Sequence, residues 1–228
     1  EQMKYSPEGE LIERMDQIGN SNFFRYDESG NLVEKKEFIA ADTSYSTYKL
    51  TELKYDEANR LLSSETYKYV KPIKTGLSET KTSAGDRVEN VYDKSGRLMR
   101  ISGPFGRETL QDYDAVGNLI EKRQKVTDGN YDIVRYGYDL RNRKVTETLL
   151  VKMSDLGEDE LADAVYDDDY YDRVLATTKF SYDKDGNLKS QTDAKGHSTL
   201  FEYDFDNRLT KKINPLQAAI GYRYDRSG

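Results

Sequence analysis

Residues 182–188 read YDKDGNL, and nearly the same phrase stands at 26–32 (YDESGNL), 92–98 (YDKSGRL) and 113–119 (YDAVGNL). Anchored on its tyrosine, the phrase can be placed nine times: Tyr5, Tyr26, Tyr55, Tyr92, Tyr113, Tyr138, Tyr182, Tyr203 and Tyr224. The intervals are 21, 29, 37, 21, 25, 44, 21 and 21 residues, a base unit of 21 with extra lengths of 8, 16, 4 and 23. Internal periodicity of this kind governs the whole fold. An even extra length is what equal lengthening of both arms of a hairpin produces; the 23 is odd and needs its own explanation.

Four residues after the tyrosine stand Gly9, Gly30, Asn59, Gly96, Gly117, Asn142, Gly186, Asn207 and Gly228. Only glycine and asparagine occur, the residues that enter left-handed backbone at least cost. Aspartate follows the tyrosine in eight of the nine copies, with Ser6 in the first. An aspartate there can bond the backbone of the turn it opens. Asp-x-x-Gly between strand-like residues predicts a type I turn closed by a glycine bulge, a three-residue hairpin loop.

The flanks agree. Two before the tyrosine come Met3, Phe24, Leu53, Asn90, Gln111, Tyr136, Phe180, Phe201 and Tyr222, on the same strand face by the period of two. Six after it comes leucine in seven copies, with Lys144 the exception. A second turn is expected seven residues before the tyrosine, at Gly19, Gly85, Gly106 and Gly196, with Gln217 in that place in NPLQA and a further turn near Gly129. Two turns per 21 residues leave strands of ordinary length. The chain reads as all-β, tandem antiparallel hairpins over 1–228, in a curved or spiralling sheet.

Composition fits an ordered but thin structure. Only 36% of residues are hydrophobic and 34% are charged, near the range of disordered chains, yet 19 tyrosines and 7 phenylalanines suit half-buried strands. There is no cysteine, hence no disulfide or thiolate site. No apolar run approaches a membrane span, and no secretory signal opens the sequence. The net charge of −7 gathers in the odd insertion, 150–175, where nine acids and no base fall between 155 and 172. No basic stripe predicts a nucleic-acid partner. Within that insertion Ser154 as a cap, followed by Leu156, Leu161 and Val165, predicts one short helix.

Units of Y-D-x-x-G-x-L at 21-residue spacing resemble the YD repeats of the Rhs family, found in bacterial polymorphic toxins, B and C components of toxin complexes, wall-associated proteins and teneurins. The resemblance covers the chain apart from its insertions. It implies a hairpin ribbon that spirals into a hollow shell, enclosing a toxin segment or presenting a surface. The family's closing core motif, with its self-cleaving acidic residues, has no counterpart here, and the last unit reads YRYDRSG. With Glu1 at its start, the sequence is expected to be a segment of a larger secreted or bacterial cell-surface shell. The expected partners are the rest of that shell or an enclosed effector.

Other chemistry is weakly founded. His197 and Ser198 are adjacent, and adjacent strand residues face opposite ways, against a catalytic pair. One histidine and no cysteine leave nothing for zinc. The acidic run lacks the spacing of a calcium loop, and acids without a distinguished pair do not make a glycosidase. No catalytic residue, metal or cofactor is expected. The repeat tyrosines are expected to pack on their neighbours. Tyr67, Tyr69, Tyr131, Tyr170 and Tyr171, in the insertions, escape the repeat and are the candidates for contacts with cell-surface carbohydrate or protein. Open strand edges also make self-association an expectation.

Overall fold

The computed structural model describes residues 1–73, 78–81, 85–127, 130–152 and 172–225. Among these it contains eighteen strands, one 3-10 turn at Pro104–Gly106 and no α-helix. The expected helix, most of the acidic run, the turn near Gly129, Tyr170, Tyr171 and Gly228 lie outside the described residues.

The strands fall into two compact units, 1–108 and 109–228. The first holds β1 (Gln2–Tyr5), β2 (Leu11–Met15), β3 (Ser21–Tyr26), β4 (Leu32–Ala41), β5 (Tyr45–Tyr55), β6 (Leu61–Pro72), β7 (Thr80–Lys81), β8 (Asp86–Tyr92) and β9 (Leu98–Ser102). The second is formed by β10 (Glu108–Tyr113), β11 (Leu119–Thr127), β12 (Asn130–Tyr138), β13 (Lys144–Lys152), β14 (Asp172–Tyr182), β15 (Leu188–Thr192), β16 (Ser198–Tyr203), β17 (Leu209–Ile213) and β18 (Ala219–Gly221). Within each unit successive strands pair antiparallel, except that β6 pairs with both β7 and β8.

The extra lengths enter as longer arms, though not always equally: β6 runs to 12 residues and pairs with β7 of 2 and β8 of 7. Eight residues between Tyr26 and Tyr55 lengthen β4 and β5 to 10 and 11 residues. The odd insertion lengthens β13 and β14, whose ladder carries a bulge, as do the ladders of two even insertions at Ile39 and Val126. Leu149 opposes Ala176 while Leu150 opposes Val174, leaving Leu175 unpaired between them.

Each of the eight YD hairpins among the described residues carries a further bulge that the sequence did not announce. Tyr113 opposes Leu119 and Asp112 opposes Glu121, so Ile120 is the extra residue. The same step recurs in the other seven hairpins. A bulge bends its strand and raises the local right-handed twist.

Burial follows strand length. The buried residues are Tyr48 and Leu50 on β5, Ser63 and Tyr69 on β6, Ile133 on β12 and Leu150 on β13, all on lengthened strands. The 21-residue hairpins bury none among the described residues. Their two short arms cover each other's edges but supply no second layer. In the first unit Phe23, Phe38 and Tyr67 pack around Tyr48, Leu50 and Tyr69. Phe38 meets Tyr48 edge-on at 5.7 Å between ring centres, a favoured aromatic geometry.

Candidate functional site: the turn edge and the lengthened hairpins

The turns follow from their aspartates. In the copy at Asp27 the Gly30 N–H donates to the Asp27 carbonyl at 3.1 Å, and the Asp27 N–H donates to the Asn31 carbonyl at 2.9 Å. That pair of bonds is a type I turn with a glycine bulge. The Asp27 carboxylate accepts the N–H groups of Ser29 and Asn31 on one oxygen and the Asn31 side-chain amide on the other. The other aspartates do the same, and where the fifth residue after the tyrosine is arginine its guanidinium replaces the amide, as in Arg60 on Asp56 at 2.7 Å and Arg143 on Asp139 at 2.8 Å. All eight turn residues in the described part have positive φ, from 58° at Asn59 to 100° at Gly117.

These carboxyls sit below the usual aspartate range. At Asp27 the backbone N–H of Asn31 is the main cause, followed by its side-chain amide. At Asp56 and Asp139 the arginine side chain leads and the backbone N–H of the same arginine follows. Each bond is made to the ionised form, which it therefore favours.

The second turns behave alike at Gly19, Gly196 and Gln217, all with positive φ; at Gly106, also positive, the turn differs, with Phe105 left-handed as well and the Arg107 N–H donating to the Pro104 carbonyl. Gly85 does not. It is not in the left-handed region, and a Cβ there would lie 2.5 Å from Glu65 Cγ and 2.7 Å from the Tyr67 ring. Its glycine permits close approach of a backbone to neighbouring side chains, a role that turn spacing cannot distinguish from a turn.

Five of the repeat tyrosines tie their hairpin to the one before it. The hydroxyls of Tyr55, Tyr92, Tyr138, Tyr182 and Tyr224 donate to the carbonyls of Leu32, Leu61, Leu119, Lys144 and Leu209, at 2.8 to 3.1 Å. Each acceptor lies six residues after the preceding repeat tyrosine. Burial raises the hydroxyl pKa of Tyr55 and Tyr203, with the preceding turn's Asp27 or Asp183 adding to it. Asn90, which breaks the apolar pattern two before Tyr92, donates to the same Leu61 carbonyl at 2.9 Å. Gln111, the other exception, accepts from the Tyr113 hydroxyl at 3.0 Å.

The insertion tyrosines are placed differently from one another. Tyr69, expected among the surface contacts, is only 6% exposed and belongs to the first unit's core. The lengthened arms of β5 and β6 fold their own aromatics inward, and the Tyr69 hydroxyl bonds to Glu79. Tyr67 is half-buried, with Lys81 Nζ 4.1 Å from its ring centre. Glu65 is the main cause of its hydroxyl pKa rising to about 12. Tyr131 is half-buried on β12, opposite Lys125.

A cavity of about 190 Å³ opens beside that core, lined by Phe23, Lys36, Tyr48, Tyr69, Lys71 and Glu79. His197 is held in its own turn by Asp193, Nδ1 to Oδ2 at 3.1 Å, while Ser198 Oγ pairs with Thr192 Oγ1 at 2.8 Å. Histidine and serine are thus engaged apart. Among the described residues no helix is long and apolar enough to cross a membrane, and no cluster of three metal-ligating side chains occurs.

Residues 92–131 and 182–219 match the model of the RHS repeat. No curated protein matches in sequence. Among solved structures, the chain is similar to a TcdB2-TccC3-TEV crystal structure at 15% identity and TM-score 0.36, covering 99% of this chain and 15% of that one. It is similar to the Photorhabdus luminescens Tc holotoxin pore at 14% identity and TM-score 0.36, with coverages of 99% and 15%. The chain therefore spans about 15% of the length of those structures.

Proposed function

We propose that this chain, which carries RHS repeats and folds as tandem YD hairpins, is a non-enzymatic wall segment of a larger secreted or surface-exposed β-shell. In this reading the shell encloses or presents an effector. The observation that carries the proposal is the use made of the repeat's polar groups. Aspartate, arginine, asparagine and tyrosine hydroxyl are spent on closing turns and, at most steps within each unit, on bonding a hairpin to the one before it. The bulge repeated in each described YD hairpin supports curvature, because it bends each strand at the same place. The test is limited proteolysis of the parent polypeptide: an enclosed segment resists protease until the shell is denatured. Digestion of all non-repeat segments at the rate of exposed linkers would sink the proposal.

A second reading, a module that binds cell-surface carbohydrate or protein, draws on the cavity at Phe23, Tyr48 and Tyr69. Aromatic walls with Lys36, Lys71 and Glu79 at the rim offer stacking and hydrogen bonds to a sugar ring. Saccharide binding on a glycan array that is lost in Lys36→Ala would favour it over the wall segment. An array without binding would remove its carbohydrate form.

A further inference from the structure

Two kinds of contact join successive turns. Asn31 uses one amide hydrogen on its own Asp27 and the other on the side-chain oxygen of Asn59 in the next turn, at 2.9 Å. Asn118 and Asn187 do the same with Asn142 and Asn207, at 3.1 and 2.8 Å. An amide has two donors, and both are used.

Arginine spends Nε and Nη2 on its own aspartate, as Arg60 and Arg143 do. Nη1 is left to point at the next turn. Arg143 Nη1 lies 3.5 Å from the Asp183 carbonyl, and the Arg60 and Arg143 guanidinium carbons lie 4.9 and 4.5 Å from the next tyrosine's ring centre. The next turn then has glycine. A Cβ at Gly96 would stand 3.0 Å from Arg60 Nη1, tighter than side chains ordinarily pack, and one at Gly186 would meet Arg143 Nη1 at 4.0 Å, an ordinary contact, in backbone whose φ of 97° already favours glycine. Glu10 Oε1 stands 3.6 Å from where a Gly30 Cβ would be, an ordinary contact that places the long side chain over the next turn. The remaining two steps, Arg97 to Gly117 and Arg208 to Gly228, repeat the long-residue-then-glycine pattern in sequence. Asparagine in the left-handed position occurs after an asparagine and nowhere else in the series.

We infer that the residue five after each repeat tyrosine is a specificity determinant for hairpin docking: asparagine selects asparagine in the next turn, and a long charged residue selects glycine. The Gly9 turn is a half-site of the second kind. It has positive φ, nothing lies within 4 Å of where its Cβ would be, and Tyr5 beside it is 56% exposed. Its partner is a YD hairpin carrying arginine or glutamate, not asparagine, after its turn. This rests on the repeats docking in series and is independent of what a shell would enclose.

The test has two arms on the full chain. In the first, Asn118→Arg and Asn142→Gly are made singly and together. Each single variant lowers Tm by about 2–4 °C, and the double variant recovers most of the combined loss. Additive losses would overturn the inference. Should Asn118→Arg not fold, the pair Arg143→Asn and Gly186→Asn makes the same comparison. In the second arm one 21-residue YD hairpin is fused ahead of Glu1, with either arginine or asparagine after its turn. The arginine form protects the β1 amides from hydrogen exchange more strongly, and Gly9→Asn reverses the order. Equal protection, or no reversal, overturns the assignment of the Gly9 face. Both readouts report docking alone, so a failed protease-protection test of the shell leaves them separately decidable.

Discussion

The side-chain amide of Asn31 donates to the side-chain oxygen of Asn59 at 2.9 Å, across 28 residues of sequence. The bond joins two turns, each of which a reader of the sequence would regard as complete in itself. It also places the left-handed Asn59, with φ of 58°, in a position where asparagine is a partner as well as a tolerated substitute for glycine. Within each unit the turn edge is therefore joined by specific contacts.

Backbone strain at the turns is measurable in isolation. Gly196 has φ of 85° with nothing within 4 Å of a Cβ position, so Gly196→Val meets conformational strain and no clash. It should cost about 1–2 kcal/mol, read from urea denaturation. Gly96→Val should cost at least as much, because Arg60 must also move. Unchanged midpoints in both would refute the turn assignment.

The turn aspartates make stability fall in acid. A carboxyl whose pKa is depressed in the folded state contributes stability above its unfolded value of about 3.9 and loses it as the pH drops through the folded value. Asp27, Asp56, Asp93, Asp139 and Asp204 are all depressed, so the losses accumulate in one window. Tm should hold steady from neutrality to about pH 5 and then fall with each further step. Asp56→Asn should flatten that fall; an unchanged acid limb would count against the turn bonds as its source.

Core truncation should separate lengthened strands from base units. Leu50 and Leu150 are 2% and 1% exposed, and replacing either by alanine should cost about 2–5 kcal/mol. Leu188→Ala, on a five-residue strand whose leucine is half-buried, should cost clearly less. Equal losses from chemical denaturation would contradict a core confined to the long hairpins.

The strand edges should associate. Within the first unit β1 pairs only with β2 among the described strands, and Met3 and Tyr5 on it are about half exposed. Such an edge is a template for a further strand. Sedimentation velocity should show concentration-dependent association, reduced by Met3→Lys. A single monomeric boundary at high concentration would exclude it.

Local sequence determined the turns, because a left-handed residue and an aspartate three positions before it make a turn within a few residues, without help from the rest of the chain. The positive φ of Gln217 followed from spacing alone, although glutamine gave no residue-type hint. The insertions did lengthen strands, but their parity did not foretell the pairing, since single-residue bulges at Ile39 and Val126 stand in even insertions and β6 faces a shorter β8. The tertiary structure decided what contacts between hairpins require. Tyr69 was a surface candidate by sequence and is core in the fold, because only the paired length of β5 and β6 provides a face to bury it. Gly85 and the repeated bulge at Ile120 were equally silent, one needing the position of Glu65 and the other the register of two strands. The asparagine, arginine or glutamate after each turn was visible in the sequence, but the meaning of the asparagines and of Arg143 lies in the next turn, 20 to 40 residues away. Periodicity could set which residues recur; only docking of one hairpin on another could show which of them touch.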